Sequence, residues 1–172
     1  MAYELYTRTN QKIYYAGLAL ASWKKADEGR APNAQTLIQA ERETSLFHLY
    51  GALLGLCHEI AGFYHIAGAT APRVELLLNK DVLTAAPSPE MAELVELAQN
   101  SQTWLAQLLV AYADLFAPPQ APKQAKIDPT LPLIATVSLD EDVTLLSREQ
   151  LESWRQQLKS LALRFRESLS EW

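Results

Sequence analysis

The stretch from Asn33 to Ile66, NAQTLIQAERETSLFHLYGALLGLCHEIAGFYHI, limits what this chain can fold into more than any other part of it. It has no proline after Pro32, is built of strong helix formers, and repeats apolar side chains such as Ile38, Leu46, Leu49, Leu53, Leu56 and Ile60 at helical spacing. From Leu49 to Cys57 no residue is charged, so the helix is apolar on every side there. Such a helix is expected as the buried central member of a bundle. Gly51 and Gly55 stand one turn apart on one face, where each disfavours the helix by roughly 1 kcal/mol relative to alanine. Close approach of a neighbouring helix would offset that loss. The uncharged run is far shorter than the roughly 18 to 20 residues of a membrane span, and Glu41, Arg42, Glu43 and Glu59 flank it. Packing against protein rather than lipid is therefore expected.

A length of 172 residues suits one domain covering 1–172, large enough to bury about 70% of its unfolded surface without a disulfide. The single Cys57 fits a reducing compartment and reads as a small buried hydrophobe rather than a reactive thiol. The opening MAYELYTRTNQK lacks a basic start followed by an apolar core, so no secretory signal is read there and a cytoplasmic location is expected. A net charge of −5 argues against broad binding to nucleic acid or anionic membranes, which calls for a basic face.

The first helix is expected from Glu4 to Ala26, with Ile13, Ala16, Leu20 and Trp23 as its apolar stripe and Tyr3, Tyr6, Tyr14 and Tyr15 as an aromatic flank. Gly29 can end it and Asn33 can cap its successor, which makes the two helices antiparallel. After a small-residue loop, a short helix is read over Arg73 to Asn79. Ser88 then caps a helix that has Pro89 at its first position, and a further helix runs from Gln102 to Phe116. Five prolines between Ala117 and Pro132 bar a regular helix, so 117–147 reads as an extended, proline-rich connection. Within it LIATVSL, Leu133 to Leu139, has strand propensity but no second strand. Ser147 and Gln150 match a capping box for the last helix, Arg148 to Ser170, whose stripe is Leu151, Trp154, Leu158, Leu161 and Phe165. The fold class is thus all-α: a single bundle of five to seven helices around one long central helix, with the proline-rich linker before the last.

No phosphate-binding glycine loop, paired cysteines, HExxH or GxSxG occurs. His48, His58 and His65 lie ten and seven residues apart, whereas a helical metal pair needs three or four, so no metal and no cofactor is expected. Arg42 and His48, in E-R-E-T-S-L-F-H, are the one pairing with catalytic content. Their spacing is similar to the arginine, four to six residues, histidine signature of HEPN ribonucleases. The resemblance implies a helical domain in which the pair from two subunits flanks a phosphate, the arginine stabilising charge and the histidine moving a proton. The alternative is a local glutamate partner for Arg42 and an interior position for His48.

The segments MAYELYTRTNQKIYYAGLAL, LIQAERETSLFHLYGALLGLCHEIAGFY and LSREQLESWRQQLKSLALRF together resemble a family of unknown function, small cytoplasmic proteins of pseudomonads and related gammaproteobacteria. The resemblance covers the chain from end to end and implies no substrate, cofactor or catalytic residue.

The function expected is therefore non-enzymatic: a helical protein-interaction or adaptor protein that offers aromatic side chains such as Tyr3, Tyr6, Trp154 and Trp172 to a protein partner. The alternative is an HEPN-like ribonuclease, or an inactive RNA-binding relative, using Arg42 and His48. LIATVSL, the tyrosine flank and the tryptophan stripe would together suit a homodimer, unless the loop and the bundle cover them.

Overall fold

The computed structural model describes residues 4–119 and 145–170, and every described element is helical. In chain order these are α1 (Tyr6–Glu28), α2 (Ala34–Phe63), a 3-10 turn (Val74–Leu76), α3 (Lys80–Ala85), α4 (Pro89–Gln99), α5 (Trp104–Asp114) and α6 (Arg148–Ser170). The all-α bundle expected from the sequence is what forms. The part of the proline-rich connection that holds LIATVSL lies outside the described residues.

α2 is the axis of the bundle: α1 packs along its length, and α4, α5 and α6 rest on other sides of it. Leu49, Ala52, Leu53, Leu56, Cys57, Ile60 and Ala61 have no exposed surface, as an all-round apolar helix requires. The two glycines admit α1. A Cβ added at Gly55 would stand 2.6 Å from Thr9 Oγ1 and 3.2 Å from the Thr9 Cα, and one at Gly51 would meet the Lys12 stem at 3.2 Å. A third glycine works the same way: the Arg155 guanidinium of α6 crosses Gly17 and donates from Nε to the Ile13 carbonyl at 2.9 Å.

α2 ends three residues before the Ile66 expected. His65 takes a left-handed conformation (φ 52), Ile66 N–H donates to the Ala61 carbonyl at 2.9 Å and His65 N–H to that of Gly62 at 3.3 Å. This is a Schellman termination, and the buried Ile66 is its apolar closure. The short helix expected over Arg73 to Asn79 is only the 3-10 turn Val74–Leu76, and the separate helix α3 follows it. Asn79 Oδ1 accepts from Val82 N–H at 2.9 Å, which makes Asn79 the start of α3 rather than the end of the turn before it. Pro89 opens α4 as expected, but the Ser88 hydroxyl makes no capping bond and is buried without a partner among the described residues. Asn33 likewise caps α2 only through its carbonyl, accepting from Leu37 N–H at 3.0 Å. The capping box of α6 forms in full: Ser147 N–H donates to Gln150 Oε1 at 2.9 Å and Gln150 N–H to Ser147 Oγ at 3.1 Å.

Buried ion pairing fastens α6 to α2. Arg166 Nε and Nη2 each donate to the Glu59 carboxylate at 2.8 Å, and Arg166 Nη1 donates to Asn10 of α1 at 2.9 Å. At the far end of α6, Ser168 and Tyr64 both donate to the buried Glu90 of α4, at 2.6 and 2.8 Å. A carboxylate buried among apolar helices is tolerable when its lone pairs are filled in this way.

Candidate functional site

Arg42 and His48 share a helix but not a site. Six residues rotate a helix by about 240°, which leaves the two side chains about 120° apart around α2. Arg42 points toward α6. Its Nε donates to the Leu146 carbonyl at 3.0 Å, its Nη1 to Gln39, and its guanidinium lies over the Trp23 ring at 4.8 Å. It therefore holds down the segment that leads into α6, and pairs with no glutamate among the described residues.

His48 points toward α1, with its ring edge-on to Tyr15 at 5.3 Å and to Phe47 at 5.4 Å. The ring is half-buried and its Nδ1 is sealed from water, without a partner among the described residues. Burial, and then the charges of Lys12 and Arg8, push its pKa below the ordinary 6.5. The contacts of the two side chains share no residue.

The expected interaction residues fare unequally. Tyr6 is 43% exposed and stands under the Arg166 guanidinium at 5.5 Å. Trp154, by contrast, is 5% exposed, because the α6 stripe from Leu151 to Phe165 is the side of that helix turned into the core. Its expected place as a freely exposed side chain is thus corrected: the core takes most of the ring, and what remains of it lines a groove between α2, α5 and α6. Tyr3 and Trp172 lie outside the described residues. No cluster of three metal-ligating side chains occurs among the described residues. Cys57 is fully buried, and burial pushes its thiol up to about 12, so it has no thiolate character near neutral pH.

What the sequence did not single out is a groove of about 650 Å³ formed where α2, α5 and the start of α6 converge. Leu46, Ala106, Ala111, Leu115 and Leu146 line it, and Val110 and Leu145, each 61% exposed, stand at its edge. Glu43 and Asp114 are its carboxylates, and neither meets a cation within 4.0 Å among the described residues. The one sequence signal for it was the composition of α5, WLAQLLVAYAD, which carries too many apolar residues for a single buried face. Apolar side chains lining a concave surface and left in water mark a place where another molecule gains by covering them.

Neither the curated proteins nor the solved structures contain a match to this chain. A family model does match, from residue 1 to residue 172, in agreement with the end-to-end resemblance read from its three segments. The chain belongs to the family of unknown function DUF6586.

Proposed function

We propose that this protein is a non-enzymatic interaction protein whose groove between α2, α5 and α6 receives a basic amphipathic helix of a protein partner. The observation that carries the reading is the exposed apolar groove whose carboxylates meet no cation among the described residues, and whose one described cationic side chain, Arg42, is already held by Leu146 and Trp23. Covering an exposed Val or Leu side chain stabilises a complex by roughly 1.5 to 3 kcal/mol before ordering is counted. A partner helix with apolar residues at every third or fourth position would fill the groove, and lysines beside them would face Glu43 and Asp114.

Fluorescence anisotropy with a labelled Leu/Lys amphipathic peptide tests this directly. Binding of that peptide, failure of the Leu/Glu version, and loss of binding in Val110→Asp are expected. Equal binding of both peptides, or an unaffected Val110→Asp, overturns the proposal. A cytoplasmic, bacterial setting belongs to the same proposal and rests on the family resemblance and the lone buried cysteine. The ribonuclease alternative would need a second protomer to bring Arg42 and His48 to one groove, and no observation favours it.

A further inference from the structure

A second, smaller cleft of about 270 Å³ opens between α1, α2 and α5, apart from the groove. Arg8 and Lys12 of α1 enter it from one side, His58 and Phe47 of α2 from another, and Tyr112 of α5 closes it. Gly51 and Gly55 leave room at its wall, where any larger residue would run into Lys12 or Thr9.

The charges here are unbalanced. Arg8 and Lys12 lie one turn apart on α1, a like-charge spacing that weakens a helix unless something negative sits between them. In a chain with 20 acidic and 15 basic residues, neither has a carboxylate within 4.0 Å among the described residues. Among the described residues the Arg8 side chain is bonded only to the neutral Gln11 Oε1, at 2.8 Å. The Lys12 ammonium rests over the Phe47 ring at 5.2 Å and the Tyr15 ring at 6.0 Å, faces that attract its charge without neutralising it. Burial, and then Arg8, lower the pKa of Lys12, which agrees with a cation short of a counter-charge. The carboxylate of Glu75 accepts from the hydroxyl of Tyr50, a residue of the cleft wall, at 2.9 Å, and stands beyond 4.0 Å from both cations. His58 adds a further polar wall, fixed by its Nε2–H donating to the Ala71 carbonyl at 2.7 Å.

Two cations one turn apart match a dianion better than a single carboxylate, and a phosphate monoester carries about −1.5 to −2 at neutral pH. Arginine's planar fork and lysine's point charge are both suited to phosphate oxygens. Beside them, Tyr112, stacked on Tyr50 at 3.7 Å, and Phe47 supply aromatic rings to the lining. The volume lies just below the range of about 300 to 1,000 Å³ typical of drug-sized ligands, so a single ring with a charged head fits and a dinucleotide does not. We infer that this cleft binds a small phosphate monoester, its phosphate between Arg8 and Lys12 and its flat apolar body against Phe47 and Tyr112.

Isothermal titration calorimetry on the full chain decides it, with phenyl phosphate as the probe and inorganic phosphate, benzoate and phenol as comparators. Phenyl phosphate is expected to bind more tightly than each comparator. Lys12→Gln and Arg8→Gln should each weaken it about tenfold, the loss of one charge-assisted contact. Lys80→Gln, the same change in net charge on the exposed start of α3, should leave it unchanged. Arg8 is exposed, so its variant keeps the test valid should Lys12→Gln lower stability, which a thermal melt of each variant reports. The inference is overturned by an absence of heat with phenyl phosphate, by phenyl phosphate binding no better than inorganic phosphate or benzoate, or by Lys80→Gln weakening it as much as Lys12→Gln.

Discussion

His48 is a titratable ring set between two aromatic rings and two cations, and its surroundings give it a measurable consequence. Tyr15 and Phe47 bury it, Lys12 and Arg8 repel its charged form, and its folded pKa falls below the ordinary 6.5. The unfolded chain therefore takes up this proton first. The contribution to stability is present above pH 6.5 and is lost as pH falls through the lower folded value. Glu90 follows at lower pH. Burial pushes its carboxyl up, but bonds from Ser168, Tyr64 and its own backbone amide outweigh that and hold it below 4.5. Thermal melts across pH should show an acid limb in two parts, with His48→Gln flattening the upper part and leaving the lower one. An unchanged upper limb in that variant would refute the assignment. Sequence spacing alone could not place this ring, because a separation of six residues states a distance along α2 and leaves the direction to the helix, which sends Arg42 to α6 and His48 to α1.

At the scale of elements, the paired glycines of α2 make opposite predictions. Gly55→Ala places a methyl against Thr9 at the backbone of α1, so α1 must shift, and a loss of about 1 to 3 kcal/mol is expected despite the better helix former. Gly51→Ala meets only the flexible Lys12 stem, which can swing away, so helix propensity should prevail with a gain of up to about 1 kcal/mol. Denaturant unfolding of both variants checks the pair, and equal effects of the same sign would contradict the packing described. Close approach of α1 was legible from the spacing of these glycines, since nothing else offsets them. The bounds of α6 were legible too, because Ser147 and Gln150 cap each other within four residues. The start of α3 was not: Asn79 is read as a cap only once Val82 N–H is seen to donate to it. The end of α2 escaped for a similar reason, since a histidine in a left-handed turn carries no glycine signal.

For the whole molecule, α2 decides how the remaining helices are used. By length and composition it could cross a membrane, a broader apolar window than its uncharged run suggested, yet 61% of that window is buried beneath other helices. Because α2 is apolar all round, α1, α4, α5 and α6 are all drawn to it, and the stripe of α6, Trp154 included, is consumed in the same core. α5 carries more apolar surface than α2, α4 and α6 together cover, and the groove is what remains. A groove made by three helices distant in sequence has no local pattern, which is why the sequence pointed to Tyr6 and, of the groove's apolar lining, to Trp154 but not to Val110 or Leu145. The most direct measurement is hydrogen exchange of the full chain with and without the Leu/Lys amphipathic peptide. Slowed exchange confined to Ala106–Leu115 and Leu145–Leu151 is the expected result, and unchanged exchange there in the presence of saturating peptide would contradict the docking role.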